Sequence, residues 1–190
     1  MCKGMFMKIF ERIFKRKKSG GGTSNQEKSK NMIDYIRLHG GKVGEDVVLW
    51  DCVIDTVSPY MIEIGDHVTI TGARILTHDA SMYRICGYTK VGKVVIGNNV
   101  FVGKQAVIMP DTVIGDNVII GAGAIVAKDV PSNSVVVGNP CRIICTYDEY
   151  AEKIKRQMKE SPIIDKLSDE ILANEEDKKL LVEKGIGFIK

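Results

Sequence analysis

A chain of 190 residues with 44% hydrophobic side chains has enough apolar material for one ordinary domain and is too hydrophobic for general disorder. Its formal net charge of +3 is small, so charge alone indicates neither a nucleic acid nor an acidic partner. The sequence contains no apolar run of the roughly 18 residues that a membrane span needs, no signal peptide, and no pairing pattern among its five cysteines. We therefore expect a cytoplasmic protein.

The first eighteen residues are rich in lysine and arginine, and apolar residues such as Met5, Ile9 and Ile13 recur at helical spacing. A helix here has one apolar and one basic face, which is typical of a segment that lies on an anionic membrane surface or docks on a partner. A frayed basic tail is the alternative. The sequence SGGGTSNQEKSK that follows has the composition of a flexible linker, so residues 1–30 form one predicted segment.

The next stretch changes from a helical to a β pattern. Residues 31–39 read as a short helix that Gly40 and Gly41 end. Branched aliphatic residues begin at Val47, and Ile64, Ile70 and Leu76 follow one another at intervals of six. The interval then breaks at the non-repetitive residues 81–92, which we expect to leave the fold as a loop at a corner and to carry function.

Residues 95–131 repeat with a strict period of six, which fits neither a helix nor a half-buried strand. An aliphatic residue begins each hexad, and a small or branched residue stands four positions later. These two rows are Ile96, Val102, Ile108, Ile114, Ile120 and Val126, and Val100, Ala106, Thr112, Val118, Ala124 and Val130. The period predicts a β-solenoid of about five triangular coils, with the rows inside and glycine, asparagine or aspartate at corners of unusual torsion.

The end of the chain returns to helical patterns. Residues 147–159 place Tyr150, Ile154 and Met158 on one helical face, Pro162 interrupts them, and a second helical stretch begins near Ser168. We therefore assign residues 147–190 to a solvated helical tail.

Several phrases of the sequence resemble a known family. The hexads IGNNVF, VGKQAV, IGDNVI and IGAGAI, the phrase VAKDVPSNSVVVGNPCRII and the earlier ILTHDAS are similar to the hexapeptide-repeat acyltransferases, in the branch of maltose/galactoside, xenobiotic and surface-polysaccharide O-acetyltransferases. The resemblance implies an all-β core, a left-handed parallel β-helix over residues 31–146 with helical appendages at both ends. It also implies a homotrimer with active sites between neighbouring prisms and acetyl-CoA bound along a coil edge.

Acetyl transfer to an alcohol or amine needs a base, and the chain has three histidines. His78 lies just before the loop, resembles the catalytic histidine of the family, and is the predicted general base. His67 occupies a corner position and His39 ends a helix, so both have structural explanations. Asp79 is next to His78 and should point the other way along an extended chain, so a backbone carbonyl is the expected partner of the imidazole. Three scattered histidines make a zinc site improbable, and no metal is predicted.

Acetyl-CoA calls for small residues along a groove and for cations near its phosphates. Gly103, Gly121 and Ala122 are the small residues, and Lys128 and Arg142 are cations near the end of the repeat. The resemblance adds Lys104 and Ala127 to this set. The predicted donor-binding residues are Gly103, Lys104, Gly121, Ala122, Ala127, Lys128 and Arg142. Ordinary solvated surface is the alternative for Lys128 and Arg142. Two residues depart from the family: Ala127 stands where threonine is common, and Lys104 stands where a small residue is common.

The loop supplies the candidate acceptor site. Tyr83, Arg84 and Tyr88 have the aromatic faces and the guanidinium group that suit a sugar, although packing within the loop explains them equally well. Thr71 is the nearest match to the polar residue that positions the acceptor in the family. The predicted function is acetyl-CoA-dependent O-acetylation of a saccharide, as in surface-polysaccharide synthesis. The alternatives are N-acetylation of an amino sugar or xenobiotic, and a non-catalytic trimeric scaffold.

Overall fold

The computed structural model describes residues 25–189. The predicted amphipathic segment at residues 1–18 lies outside the described residues. Those that are described divide into two compact units, with the boundary between Asp148 and Glu149.

A helix, α1 (Asn25–Leu38), precedes the β region. It begins inside the stretch predicted to be a flexible linker, so that prediction is wrong for residues 25–30. Tertiary contacts explain the difference: Ile36 is fully buried, and the hydroxyl of Ser29 accepts a hydrogen bond of 2.9 Å from the backbone N–H of Leu49. A polar composition therefore concealed a helix that packs on the β core.

Three mostly parallel sheets form the first unit. Sheet 1 contains β1 (Lys42–Val43), β4 (Ile62–Ile64), β9 (Val94–Ile96) and β12 (Thr112–Ile114). Sheet 2 contains β2 (Val48–Trp50), β5 (Thr69–Thr71), β10 (Val100–Val102), β13 (Val118–Ile120), β15 (Ser134–Val137) and β16 (Arg142–Thr146). Sheet 3 contains β3 (Val53–Ile54), β6 (Arg74–Ile75), β11 (Val107–Ile108) and β14 (Ile125–Val126).

The chain visits the three sheets in turn, so each circuit adds one strand to every sheet. The result is a three-sided parallel β-helix with four complete coils and part of a fifth, which confirms the predicted solenoid. A short 3-10 helix (Pro59–Met61) lies between β3 and β4. Only β16 in this prism runs antiparallel to its neighbour β15 among the described strands, and the repeat ends there.

Both rows of the six-residue repeat point into the prism. All twelve predicted side chains are at most 4% exposed. The stacked rows therefore form one continuous hydrophobic core, in which each coil buries the apolar residues of the next.

Gly72 and Gly123 have the positive φ predicted for corners, but the glycines that directly follow the aliphatic residues of the hexads have a different role. Asparagine, aspartate, histidine and glutamine hold most corners with positive φ; they are Asp46, Asp51, His67, Asn99, Gln105, Asp111, Asn117 and Asn133. Gly97 has no positive φ, but a Cβ there would lie 2.8 Å from the carbonyl carbon of Gly115 in the next coil. Glycine is needed at this position because stacked backbones approach too closely for a side chain.

The second coil contradicts one predicted register. Ile75, rather than Leu76, is the fully buried residue, and it pairs with Ile108. The corner at Gly72 is one residue shorter than the corner above it, since Ile70 and Ile75 align with Val102 and Ile108. Ala73 carried the signal: it precedes Ile75 by two positions, as Ala106 precedes Ile108.

The non-repetitive segment leaves the prism at a corner, as expected. It consists of the antiparallel pair β7 (His78–Asp79) and β8 (Lys90–Val91), with α2 (Tyr83–Cys86) at the tip. His78 pairs with Val91, so the predicted base lies at the root of this hairpin.

The chain continues through α3 (Tyr147–Glu160) into the second unit. That unit contains α4 (Ser168–Leu172) and α5 (Glu175–Lys184), which confirms the helical prediction, and a small parallel sheet of β17 (Ile163–Ile164) and β18 (Phe188–Ile189), which was not predicted. Asn174 caps α5 by accepting hydrogen bonds from two backbone N–H groups. Within residues 25–189, no helix combines the length and the hydrophobicity that crossing a bilayer requires.

Candidate active site

Six of the predicted donor-binding residues and the predicted base lie on two edges of the prism. We call the corner between sheets 2 and 3 the first edge; it contains Gly72, Lys104 and Ala122. We call the corner between sheets 3 and 1 the second edge; it contains Asp55 and His78. Sheet 3 separates the two edges within one chain.

His78 is paired with a buried carboxylate on the second edge. Its Nδ1 lies 2.5 Å from Oδ2 of Asp55, a residue of the preceding coil. The Asp55 side chain is only 3% exposed, whereas that of His78 is 33% exposed. The imidazole is therefore bonded to the protein through Nδ1 and remains partly exposed to solvent.

Hydrogen bonds from the backbone hold the Asp55 carboxylate as well. Oδ2 accepts from the N–H groups of Thr77 and His78, at 2.9 and 3.1 Å, and Oδ1 accepts from the N–H of Val57 at 3.0 Å. Burial by itself raises the pKa of Asp55, but the hydrogen bonds from Thr77, Val57 and His78 outweigh burial and lower this pKa. The carboxylate is therefore ionised at neutral pH.

An ionised carboxylate can only accept hydrogen bonds, so the short contact places a proton on Nδ1 of His78. Nε2 of the neutral imidazole is then an unprotonated acceptor. The expected backbone carbonyl partner is wrong, because Asp55 occupies that place. Asp79 accepts a hydrogen bond of 2.8 Å from the N–H of Ser81, which stabilises the turn of the loop.

The sequence analysis missed Asp55, although a signal was present. Asp55 directly follows the buried Ile54. The aligned buried residues of the other coils are each followed by an apolar residue; these pairs are Ile75 and Leu76, Ile108 and Met109, and Val126 and Ala127. An aspartate in an otherwise apolar column, 7% exposed, needs buried donors. The column becomes visible only after the register of the short second coil is corrected.

The other two histidines have the structural settings predicted for them. His67 has a φ of 57° at a corner, and its Nδ1 lies 2.9 Å from Oδ2 of Asp46 on an exposed surface. Nδ1 of His39 lies 2.8 Å from the carbonyl oxygen of Tyr35 near the end of α1.

Four of the predicted donor-binding residues share the first edge. Gly103 and Gly121 stack there, and a Cβ on Gly103 would lie 2.6 Å from the backbone nitrogen of Ala122. Ala122 is exposed. The stem of Lys104 crosses the second coil, because a Cβ at Gly72 would lie 3.0 Å from Lys104 Cγ.

The remaining three predicted donor residues lie elsewhere. Ala127 and Lys128 follow β14 on the second edge, and Arg142 begins β16 in sheet 2. All three are exposed. The structure therefore does not bring the seven residues to one corner of a single chain.

Three of the four acceptor candidates belong to the hairpin, and the fourth does not. Tyr83 and Tyr88 are 58% and 77% exposed, and Arg84 is exposed beside them. Thr71 lies instead at the end of β5, where its hydroxyl donates a hydrogen bond of 3.1 Å to the carbonyl oxygen of Val102. Among residues 25–189, no group of three histidine, cysteine, aspartate or glutamate side chains is arranged to hold a metal ion.

Comparison with known proteins identifies the family. Residues 93–128 match the family model for the bacterial transferase hexapeptide (six repeats). The chain is 43% identical over 128 residues to protein CapG of Staphylococcus aureus, covering 64% of this chain and 74% of that protein. It is 40% identical over 99 residues to galactoside O-acetyltransferase of Escherichia coli (strain K12), covering 46% of this chain and 45% of that protein. A solved galactoside acetyltransferase in complex with coenzyme A superposes with a TM-score of 0.51 at 26% identity, covering 80% of this chain and 86% of that one.

The stacked hexads and the relatives together define an acyltransferase of the left-handed β-helix class. The chain belongs to the hexapeptide-repeat acyltransferase family. The predicted fold and family are thereby confirmed, and the chain is an acetyltransferase.

Proposed function

We propose that this acetyl-CoA-dependent enzyme transfers the acetyl group to a hydroxyl of a saccharide, with His78 as the general base. The observation that carries the proposal is the paired imidazole: Asp55 binds Nδ1, which leaves Nε2 unprotonated at an accessible edge. A neutral imidazole so placed can remove a proton from an alcohol at cytoplasmic pH.

His78 and Asp55 support direct transfer of the acetyl group from acetyl-CoA to the acceptor. Nε2 of His78 accepts the hydroxyl proton while the acceptor oxygen attacks the thioester carbonyl carbon. The carbon–sulfur bond then breaks, and the imidazolium returns the proton to the sulfur that leaves. Asp55 stabilises the imidazolium between these two steps.

The first edge has the properties that an acyl donor needs. Ala122 is exposed, and a Cβ at Gly123 would meet nothing within 4 Å, so a narrow pantetheine arm has room beside the backbone. Lys104 is an exposed cation on this edge that suits a phosphate of coenzyme A, whereas the exposed cations Lys128 and Arg142 lie off it, on the second edge and at the start of β16. These residues fit the donor.

A homotrimer would join the two edges into one site. The first edge carries donor residues and the second edge carries His78, and sheet 3 keeps them apart in one chain. Val53, Phe101 and Val113 are 41% to 49% exposed on the flat faces, where association would bury them. Sedimentation equilibrium should give a trimer, and a monomer that retains full activity would contradict this assembly.

The saccharide acceptor rests on two observations. The relative from Escherichia coli and the superposed structure are both named for galactosides, and the hairpin next to His78 presents Tyr83, Arg84 and Tyr88 to solvent. Aromatic faces and a guanidinium group bind sugars through stacking and hydrogen bonds.

A panel assay tests the function. The full chain is incubated with acetyl-CoA and with maltose, a thiogalactoside, glucosamine and a small aromatic amine, and the free thiol of CoA is measured. We expect the fastest release with a saccharide lacking an amine, and a product whose acetyl group is lost in mild alkali, as an ester is and an amide is not.

Two other outcomes of these measurements would contradict O-acetylation and favour a different function. Fastest release with glucosamine or the amine, with an alkali-stable product, would establish N-acetylation. Absence of CoA binding by calorimetry would favour a scaffold without catalysis.

A further inference from the structure

We propose that Lys104 of one copy binds an anionic group on the acceptor held beside His78 of the next copy, so that the saccharide carries a carboxylate or a phosphate. The inference deepens the proposed function: it rests on the trimer and on His78 as the base, and it adds the chemical class of the acceptor. Two observations carry it. The first edge is recessed in the first two coils, and the Lys104 side chain runs into this recess.

The first edge changes shape along the prism. In the third and fourth coils, four residues connect the aligned positions of sheets 2 and 3, whereas in the first and second coils only three residues do so. These aligned positions are Leu49 and Val53, Ile70 and Arg74, Val102 and Val107, and Ile120 and Ile125. A corner with one residue fewer projects less far from the prism, so the edge is recessed over its first two coils.

Lys104 stands directly above this recess, and its side chain turns down into it. A Cβ built on Gly72 would lie 3.0 Å from Cγ, 3.7 Å from Cδ and 3.6 Å from Cε of Lys104. The whole stem therefore lies flat against the short corner of the second coil, in the space that a glycine leaves open there. The ammonium is presented at the height of the second coil rather than beside its own backbone in the third.

The protein does not neutralise this ammonium. Within residues 25–189, Lys104 has no ion-pair partner, whereas Lys42 and Lys93 each bind Glu63 at 2.8 Å. Asp51, which holds the same corner in the first coil, does not pair with Lys104 in that range either. An exposed ammonium that lies along a recess without a counter-ion is suited to bind an anionic oxygen of a ligand.

The height of the Lys104 ammonium along the prism matches that of the predicted base. Gly72 and His78 stand on either side of β6 in the second coil, one on the first edge and the other on the second. In the proposed trimer, the first edge of each copy meets the second edge of the next, so the threefold axis is parallel to the prism and equal coils face each other. The recess and Lys104 of one copy then lie opposite His78 of the next.

This height favours the acceptor over the phosphates of coenzyme A as the ligand of Lys104. The acetyl carbon must lie beside His78 during transfer, and the long pantetheine arm separates that carbon from the phosphates. Lys128 and Arg142 provide cations for phosphates nearer the end of the repeat. A cation at the height of the reacting carbon is therefore available to the acceptor.

The hairpin that begins at His78 adds a second cation. Arg84 is exposed in α2 and has no ion-pair partner among the described residues. Asp79 and Lys90 face each other across β7 and β8, so their charges offset one another. An ammonium from one copy and a guanidinium from the next give the acceptor site a positive potential, which attracts an anionic saccharide and disfavours a cationic amino sugar.

The first experiment measures acceptor selectivity. Thiol release by the full chain is followed at saturating acetyl-CoA with methyl galactoside, galactose 1-phosphate and the methyl glycoside of galacturonic acid. We expect kcat/KM for at least one anionic sugar to exceed that for methyl galactoside on the order of tenfold, the size expected of a hydrogen bond to a charged group, and the excess to shrink at high salt. The two anionic sugars distinguish a phosphate from a carboxylate. No preference for either would overturn the proposal.

The second experiment assigns the preference to Lys104. Lys104→Met removes the charge and keeps the stem, so kcat/KM for the anionic sugar should fall to that for methyl galactoside, while the rate with methyl galactoside and the KM for acetyl-CoA stay unchanged. Lys104→Arg should retain the preference. Lys42→Met is the matched control, because it removes an exposed lysine from sheet 1 and leaves Glu63 bound to Lys93.

Two results with Lys104→Met would overturn the proposal. An equal fall for all three sugars is expected of a group that binds the reacting oxyanion, and a raised KM for acetyl-CoA is expected of a group that binds the donor. Either result would leave the proposed O-acetylation in place.

A binding measurement separates this proposal from the proposed function. Calorimetry of the full chain saturated with CoA, which has no acetyl group to transfer, compares the three sugars without turnover. We expect wild type to bind an anionic sugar more tightly than methyl galactoside, and Lys104→Met to bind all three alike. Wild type without this preference, or a preference that survives in Lys104→Met, would overturn the proposal whatever the panel assay shows. Absence of acetyl transfer in the panel would remove the proposed function and leave the calorimetric result to decide the anion site.

Discussion

The His78→Ala variant should release CoA about 10²–10⁴-fold more slowly than the wild type, because proton removal by a positioned base contributes a factor of that size. This corresponds to about 3–5 kcal/mol in the activation barrier. The fold should persist, since the side chain is one third exposed and the backbone of His78 keeps its bond to Asp55. Rates are measured by thiol release with the best acceptor of the panel, at one fixed pH for both proteins.

His67→Ala is the control for this loss. It removes an exposed imidazole that is also paired with an aspartate, and it should retain full activity. Binding of acetyl-CoA, measured by calorimetry, should be similar in wild type and His78→Ala, because four of the predicted donor residues lie on the first edge and the substitution leaves Ala127 and Lys128 in place. A His78→Ala enzyme that keeps most of its rate would exclude His78 as the base.

The Ile108→Ala variant should lower the free energy of unfolding by about 2–5 kcal/mol. Ile108 is fully buried in the third coil and pairs with Ile75 below and Val126 above, so the truncation leaves a cavity between coils. Parallel strands on both sides restrict the collapse of that cavity. The measurement is denaturant unfolding followed by circular dichroism, at one protein concentration because association contributes to stability.

Leu38→Ala provides the comparison for Ile108. Leu38 loses the same kind of aliphatic side chain but is 82% exposed at the end of α1, so its loss should cost less than about 1 kcal/mol. Equal destabilisation by the two substitutions would show that the stacked rows do not dominate stability.

The repeat made the core predictable from sequence. Its hexads specify a periodic structure in which one inward position recurs every six residues, and each predicted member of both rows is buried. Local composition also sufficed for the corners held by Asn99 and Asn117, because these side chains tolerate positive φ.

Features that depend on contacts between coils could not be predicted from the six-residue period of the sequence. The shorter corner at Gly72 changes the register of His78 without altering the local β pattern. Asp55 and His78 are 23 positions apart and meet only when coils stack. Likewise, nothing near Ser29 in sequence reveals that it binds Leu49.

The reversed direction of β16 has a consequence for solubility. Parallel sheets that end on open strands can recruit further copies and grow into fibres. Here β16 pairs antiparallel with β15, with an irregular register between Val135 and Val136, so the last strand of sheet 2 offers no template for another parallel coil. At the opposite end, α1 supplies Ser29 to the outermost strand β2. Sheet 2 therefore differs at both ends from an open parallel edge.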